Sequence, residues 1–172
     1  MLFWPVPVPL PMEKTHHYTT ILTWTGNRGE GTTHYSAYDR DHVHSVAGKP
    51  DIPGSSDPSF RGNRARYNPE ELLVASLSSC HMLWYLHLCS VNNIVVVDYR
   101  DQAEGMMMER PDGSGYFKEV TLRPVVTITD ASHVERARAL HHEANKLCFI
   151  ASSMNFPVQH EPEFRIAAAQ AL

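Results

Sequence analysis

The stretch from Asn68 to Asn93 constrains this chain more than any other. Asn68 belongs to the residue types that cap helix N-termini, and Pro69 suits a first helical position, where its missing N–H costs nothing. Glu70 and Glu71 complement the positive end of the helix dipole, and Asn68-x-x-Glu71 has the spacing of a capping box. The run that follows, LLVASLSSCHMLWYLHLCS, is apolar on nearly every face. Its pattern predicts a helix buried almost all round and ending near Asn92-Asn93. Such a helix needs other elements wrapped about it and is expected at the centre of the fold.

The flanking segments read mainly as strands. His17 to Trp24 (HYTTILTW) is β-branched and aromatic, Gly26-Asn27-Arg28-Gly29 supplies turn chemistry, and Thr32 to Tyr38 is again strand-like, so a hairpin is expected. Between Asp39 and Tyr67 the Gly, Pro, Ser and Asp content rises, which predicts a long loop serving as a cover over a pocket. After the central helix come strand-like runs at Ile94 to Gln102, Gly105 to Glu109 and Tyr116 to Thr129. The last two are joined by the turn Pro111-Asp112-Gly113-Ser114-Gly115, and the whole reads as a meander. Val134, Ala137, Leu140, Ala144, Leu147 and Ile150 or Ala151 fall at helical spacing and predict an amphipathic helix from Val134 to Met154, followed by a last strand from Val158 to Ile166. This order of elements indicates an α+β fold with segregated helices rather than a wound parallel sheet.

At 172 residues the chain has room for one domain with a substantial core, placed at residues 16–167. Residues 1–15 open with an apolar, proline-rich run that lacks a basic n-region and reads as an extended mobile tail; Met12 is an alternative start. A net charge of -4 lacks the basic excess that nucleic-acid binding demands. The longest apolar run, Leu72 to Leu88, is broken by Ser76, Ser78, Ser79, His81 and His87, so no membrane partner is expected. A cytoplasmic location follows as an expectation, and there the three cysteines stay reduced.

Cys80 lies mid-helix in Ser78-Ser79-Cys80-His81, and Cys148 near the end of the second long helix. Free cysteine is commonly a small buried hydrophobe, so either thiol taken alone reads first as core. Cys89, nine residues beyond Cys80, falls on the opposite face of its helix and is assigned to the core. Trp84, Tyr85, Phe149 and Phe156 either pack the helices or wall an apolar pocket. The paired histidines His16-His17 and His141-His142 point in different directions, and only His81 adjoins a thiol, so no metal site is expected. The sequence contains no glycine-rich phosphate loop or dinucleotide fingerprint.

Asn68-Pro-Glu-Glu-Leu-Leu-Val-Ala-Ser-Leu-Ser-Ser-Cys80 resembles the N-P-E-(E/Q)-L signature that leads into a cysteine-bearing helix in the OsmC/Ohr family of hydroperoxide reductases. Ala144-Asn-Lys-Leu-Cys148-Phe-Ile-Ala-Ser is similar to the family's segment carrying a second cysteine, and the resemblance spans about His17 to Phe164. It implies an OsmC-like fold of antiparallel sheets with two long helices, assembled as an intertwined homodimer with active sites at the subunit interface. It also implies reduction of organic hydroperoxides to alcohols, with Cys80 attacking the peroxide and Cys148 resolving the sulfenic acid as a disulfide. No cofactor is implied; an external dithiol, for which the resemblance points to lipoyl proteins, regenerates the thiols. The family holds an arginine with a glutamate beside the attacking thiol. By position the glutamate is Glu70, leaving Glu71 to the cap, and the arginine is Arg28 in the first turn. Arg40, Arg61, Arg64 and Arg66 are alternatives, and a swinging turn would gate the site. Glu70 and Cys80 are ten helical steps apart, about 15 Å of rise, so the glutamate or its arginine must bridge that gap, for which a partner chain is one route. Glu70 serving the helix dipole alone also stays open. The alternatives to a peroxidase are a non-enzymatic thiol redox sensor or binding dimer, and a purely structural dimer.

Overall fold

A computed structural model describes residues 14–168; the expected tail of residues 1–15 therefore lies outside the described residues, apart from Lys14 and Thr15. The chain divides into two compact units, up to Arg66 and from Tyr67 onward.

The first unit is an antiparallel sheet of three short strands, β1 (Ile21–Trp24), β2 (His42–Ser45) and β3 (Ile52–Gly54), in that order. Trp24 pairs with His42 and His42 with Gly54. The expected hairpin is thus displaced: β1 pairs with β2, and Thr32 to Tyr38 forms turns instead of a strand. Local polar bonds explain this. Asn27 accepts the N–H groups of Gly29 (2.9 Å) and Gly31 (3.1 Å) on its side chain. The Arg28 guanidinium donates to the carbonyls of Ser36 and Ala37. Arg40 likewise donates to the carbonyls of Tyr35 and Tyr38, so side chains take up carbonyls that a strand would pair, leaving His42–Ser45 to extend the sheet. The supposed long loop after Asp39 accordingly contains β2, β3 and a 3-10 turn at Pro58–Phe60 capped by Asp57.

In the second unit α1 (Pro69–Val91) begins with the anticipated capping box, Asn68 Oδ1 accepting the Glu71 N–H at 2.8 Å and Glu71 Oε2 accepting the Asn68 N–H at 3.1 Å. It closes at Asn92, with Asn93 left-handed at φ 57°. By length and composition α1 would also reach across a bilayer. Here Leu77, His81, Tyr85 and Cys89, spaced four apart, form its fully buried stripe. The opposite stripe, including Ala75, Ser79, Leu83, His87 and Val91, is exposed, so the helix is covered on one side and not all round. Within the second unit Val96–Asp101, Glu104–Glu109, Val134–Leu147 and Phe149–Ser152 pack on that buried side.

Two three-stranded sheets complete the unit. One has the order β4 (Val96–Asp101), β7 (Pro124–Ile128), β9 (Glu163–Ile166); the other has β5 (Glu104–Glu109), β6 (Gly115–Leu122), β8 (Val158–His160). The meander is reduced to the β5–β6 hairpin, closed where Gly113 takes φ 82°. Two runs read as single strands each divide between the sheets. One breaks before Pro124 and the other at Glu161-Pro162, since proline cannot donate to a ladder and a chain changing sheets must bend. Arg123 braces the break, its N–H bonded to Asp101 (2.7 Å) and its guanidinium to Glu104 (2.8 Å) and Glu161 (3.1 Å). β8 and β9 add in parallel to β6 and β7, which makes each sheet mixed. The architecture is the expected α+β class. α2 (Val134–Leu147) packs on α1 through Ala137, Leu140 and Ala144, which share a core with Tyr85, Cys89, Ile94, Val126 and Ile128.

Candidate active site

The helix expected from Val134 to Met154 breaks at Cys148. Its φ of -68° and ψ of 109° leave the helical region, so it ends α2 and precedes a short helix, α3 (Phe149–Ser152). The cause lies in its own side chain: Cys148 Sγ accepts the Ala151 N–H at 3.4 Å, a sulfur in the capping position where a hydroxyl is usual. At the break Cys148 lies beside Cys80 of α1. All three cysteines are unbonded; Cys80 is partly exposed, whereas Cys89 and Cys148 are buried. Cys89 is a core residue, as anticipated.

The pKa of Cys148 is pushed up to about 11, first by burial and next by the Cys80 thiol beside it, against the opposing pull of the Ala151 and Ile150 N–H groups. Cys148 therefore keeps its proton at neutral pH. Cys80 is the sulfur that a reagent from solvent can reach. Leu83, Trp84 and His87 follow it at three, four and seven residues and line an open apolar hollow of about 300 Å³. Phe149, next to Cys148 and 71% exposed, meets the Trp84 ring edge-on at 5.6 Å. Of the other aromatics singled out, Tyr85 is fully buried and Phe156 packs against Phe117.

Glu70 stands in the first turn of α1 and Cys80 on the same unbroken helix, so the separation of about 15 Å holds and the two do not touch. Arg28, Arg40, Arg61, Arg64 and Arg66 all belong to the first unit. Arg28 holds its own turn and lies 3.8 Å from Asp39. Arg40 is sandwiched between Tyr35 and Tyr38 at 4.1 and 4.3 Å, and Arg66 pairs with Asp41 at 3.0 Å. Arg61 lies over Tyr35 at 5.8 Å, and Arg64 helps lower the pKa of Asp57 after the bonds from Ser59.

A feature not read from the sequence is the gathering of His81, His141 and His160 in the second unit. His81 Nε2 and His141 Nδ1 are 2.9 Å apart, His141 stacks on Tyr85 at 3.8 Å, and His160 lies 5.6 Å from His81 between ring centroids. The signal was available: His81 shares the four-residue spacing of Leu77, Tyr85 and Cys89, and His141 falls in the Ala137-Leu140-Ala144 stripe. Among the described residues no three His, Cys, Asp or Glu side chains converge as metal ligands.

Residues 62–163 match the family model described as OsmC-like protein. Comparison with curated proteins gives no significant match. Among solved structures, an OsmC-like protein of unknown function from Vibrio cholerae is 31% identical, with 86% of this chain and 99% of that one covered and a TM-score of 0.77. An organic hydroperoxide resistance protein from Elizabethkingia anophelis is 17% identical over 90% of this chain and 100% of that one, with a TM-score of 0.63. The Bacillus subtilis organic hydroperoxide resistance protein OhrB is 20% identical over 86% and 98%, at 0.55, and these two likenesses concern the fold. With the family model covering more than half its length and a full-length relative above 30% identity, the chain belongs to the OsmC/Ohr family of OsmC-like proteins.

Proposed function

We propose that this protein is a thiol-dependent peroxidase that reduces organic hydroperoxides to alcohols. The observation that carries the reading is the pairing of a partly exposed thiol, Cys80, with a buried, protonated one, Cys148, at a helix break. Ionised Cys80 attacks the outer oxygen of ROOH; the O–O bond breaks, ROH leaves after taking a proton, and Cys80 becomes a sulfenic acid. Cys148 then condenses with it, releasing water and forming a disulfide, which an external dithiol reduces. The sum is one hydroperoxide and one dithiol converted to alcohol, water and an oxidised dithiol. The family's hydroperoxide resistance relatives support the peroxide-related role.

A cation must favour the thiolate and the developing charge on oxygen. In this reading Arg28, positioned by Glu70, supplies it. Because Glu70 stands about 15 Å along α1 from Cys80, a second copy of the chain completes the site, and the protein works as a homodimer. The hollow of Leu83, Trp84 and His87, with Phe149 beside it, gives the organic group of the substrate an apolar resting place, which favours it over hydrogen peroxide. A lipoyl protein in the cytoplasm serves as the reductant.

The test is peptide mapping after one equivalent of cumene hydroperoxide, together with steady-state consumption in the presence of a dithiol. A Cys80–Cys148 disulfide with many turnovers is expected. Consumption stopping at one equivalent would replace the enzyme with a redox sensor, and unmodified cysteines would remove the thiol chemistry altogether.

A further inference from the structure

His81 follows Cys80 directly on α1, and His141 stands on α2 seven residues before Cys148, two turns back on nearly the same face. Both rings are interior, 1% and 0% exposed. Their Nε2 to Nδ1 separation is 2.9 Å, with the rings within 8° of parallel. One nitrogen donates and the other accepts, so the bond needs at least one neutral imidazole. The outer nitrogens, His81 Nδ1 and His141 Nε2, are buried without partners.

Leucines at both places would avoid that desolvation cost. A buried polar pair that packing alone does not favour can fix the register of the elements it joins. Here those elements are the two helices that carry the thiols. Besides this bond, the described residues join α1 and α2 by side-chain hydrogen bonds only where Arg136 reaches the cap residue Asn92 at 3.0 Å, an exposed contact at the far end of α1.

We infer that the His81–His141 hydrogen bond is a strut that sets α2 against α1 so that Cys148 stands beside Cys80, and thereby governs disulfide closure rather than attack on the peroxide. The inference rests on the thiol chemistry proposed above. The step governed is Cys80–SOH with Cys148–SH giving the S–S bond and water: the Cys148 sulfur is oxidised, the Cys80 sulfur reduced, and the oxygen leaves with both hydrogens. When closure is slow, a second hydroperoxide reaches the waiting sulfenic acid and carries it to sulfinic acid, itself leaving as alcohol.

The test compares His81→Leu/His141→Leu with His81→Gln/His141→Asn. The Gln and Asn amides reproduce the Nε2 and Nδ1 positions and keep a neutral hydrogen bond. Each reduced protein is mixed with cumene hydroperoxide, and Cys80 sulfenic acid, the Cys80–Cys148 disulfide and Cys80 sulfinic acid are followed by quenched mass spectrometry at pH 7. In the leucine pair attack keeps its rate, closure slows by about tenfold to a hundredfold as expected for a misplaced reacting atom, and sulfinic acid accumulates. The Gln/Asn pair closes as fast as wild type. Should the leucine pair misfold, His81→Leu and His141→Leu taken singly, each of which removes the bond, are expected to close slowly where the Gln/Asn pair does not. Closure at the wild-type rate in the leucine pair, or in the single variants if the pair misfolds, or slow closure in the Gln/Asn pair, overturns the strut. Wild type forming no Cys80–Cys148 disulfide at all overturns the proposed function and the strut with it.

Discussion

The sulfur of Cys148 accepts the N–H of Ala151 at 3.4 Å, so the residue bearing the second thiol also caps the helix that follows it. A hydroxyl would cap at least as well, and a methyl group would leave the N–H without its acceptor. In urea denaturation of the reduced protein, Cys148→Ala is therefore expected to be less stable than Cys148→Ser by about 0.5–1 kcal/mol, while neither forms the disulfide. Equal stability of the two variants would show that the cap carries no weight and that another contact breaks the helix at this position.

Adjacent glutamates at the start of α1 have separable roles. Glu71 completes the capping box with Asn68, both bonds being formed. Glu71→Ala should cost about 1 kcal/mol of stability and leave the rate of Cys80 oxidation in the folded protein unchanged. Glu70→Gln should do the reverse, keeping stability near wild type while slowing Cys80 oxidation by about tenfold to a hundredfold, the scale of a lost electrostatic contact at a reacting centre. Stopped-flow oxidation with cumene hydroperoxide alongside denaturant titration separates the two. A Glu70→Gln variant with the wild-type rate would confine Glu70 to the helix dipole.

What the sequence disclosed most fully were the features encoded within a few neighbouring residues. The cap at Asn68, the end of α1 at Asn92-Asn93 and the turn at Pro111 to Gly115 each rest on local chemistry and stand where they were read. Partner choice between strands was not legible, because Thr32 to Tyr38 has the composition of a strand but Arg28 takes the carbonyls of Ser36 and Ala37 and Arg40 those of Tyr35 and Tyr38. Both long strands were split by prolines, Pro124 and Pro162, that the apolar pattern on either side concealed. For the candidate site, both cysteines were legible through their motifs, but the helix break at Cys148 was not, since continuous amphipathic spacing hides a side chain that caps. The histidine pair is hidden because adjacency along the chain, as in His141-His142, does not show which face each ring occupies.

The bare side of α1 has a consequence for assembly. Leu83 and Val91 are 64% and 60% exposed on a helix whose sequence is apolar on nearly every face. Covering a valine such as Val91 in a symmetric contact contributes about 1.5–3 kcal/mol from each copy, and a carboxylate in its place would be desolvated unpaired. Sedimentation at micromolar concentration should therefore find wild type dimeric and Val91→Glu monomeric, with peroxide turnover lost in step. Wild type that sediments as a monomer while turning over at full rate would remove the second copy from the site.

Acid stability should report the buried imidazoles directly. Burial, then His160, pushes the pKa of His81 down to about 4; burial followed by His81, His160 and Arg138 lowers that of His141 further. In the unfolded chain both histidines titrate near the ordinary value of about 6.5. Between about pH 6.5 and 4 the unfolded state thus binds more protons than the folded one, so stability is fully present above this window and falls as the pH drops through it. Each histidine contributes a slope approaching about 1.4 kcal/mol per pH unit, and for His81 the whole window amounts to about 3 kcal/mol. Urea midpoints measured at pH 7, 6, 5 and 4.5 should decline accordingly in wild type. In His81→Leu/His141→Leu the decline should be shallower by close to two protons' worth, leaving the share of His160 and of the carboxylates. An unaltered slope in that variant would mean that both imidazoles already titrate normally in the folded protein, which their burial against Tyr85 and the sheet opposes.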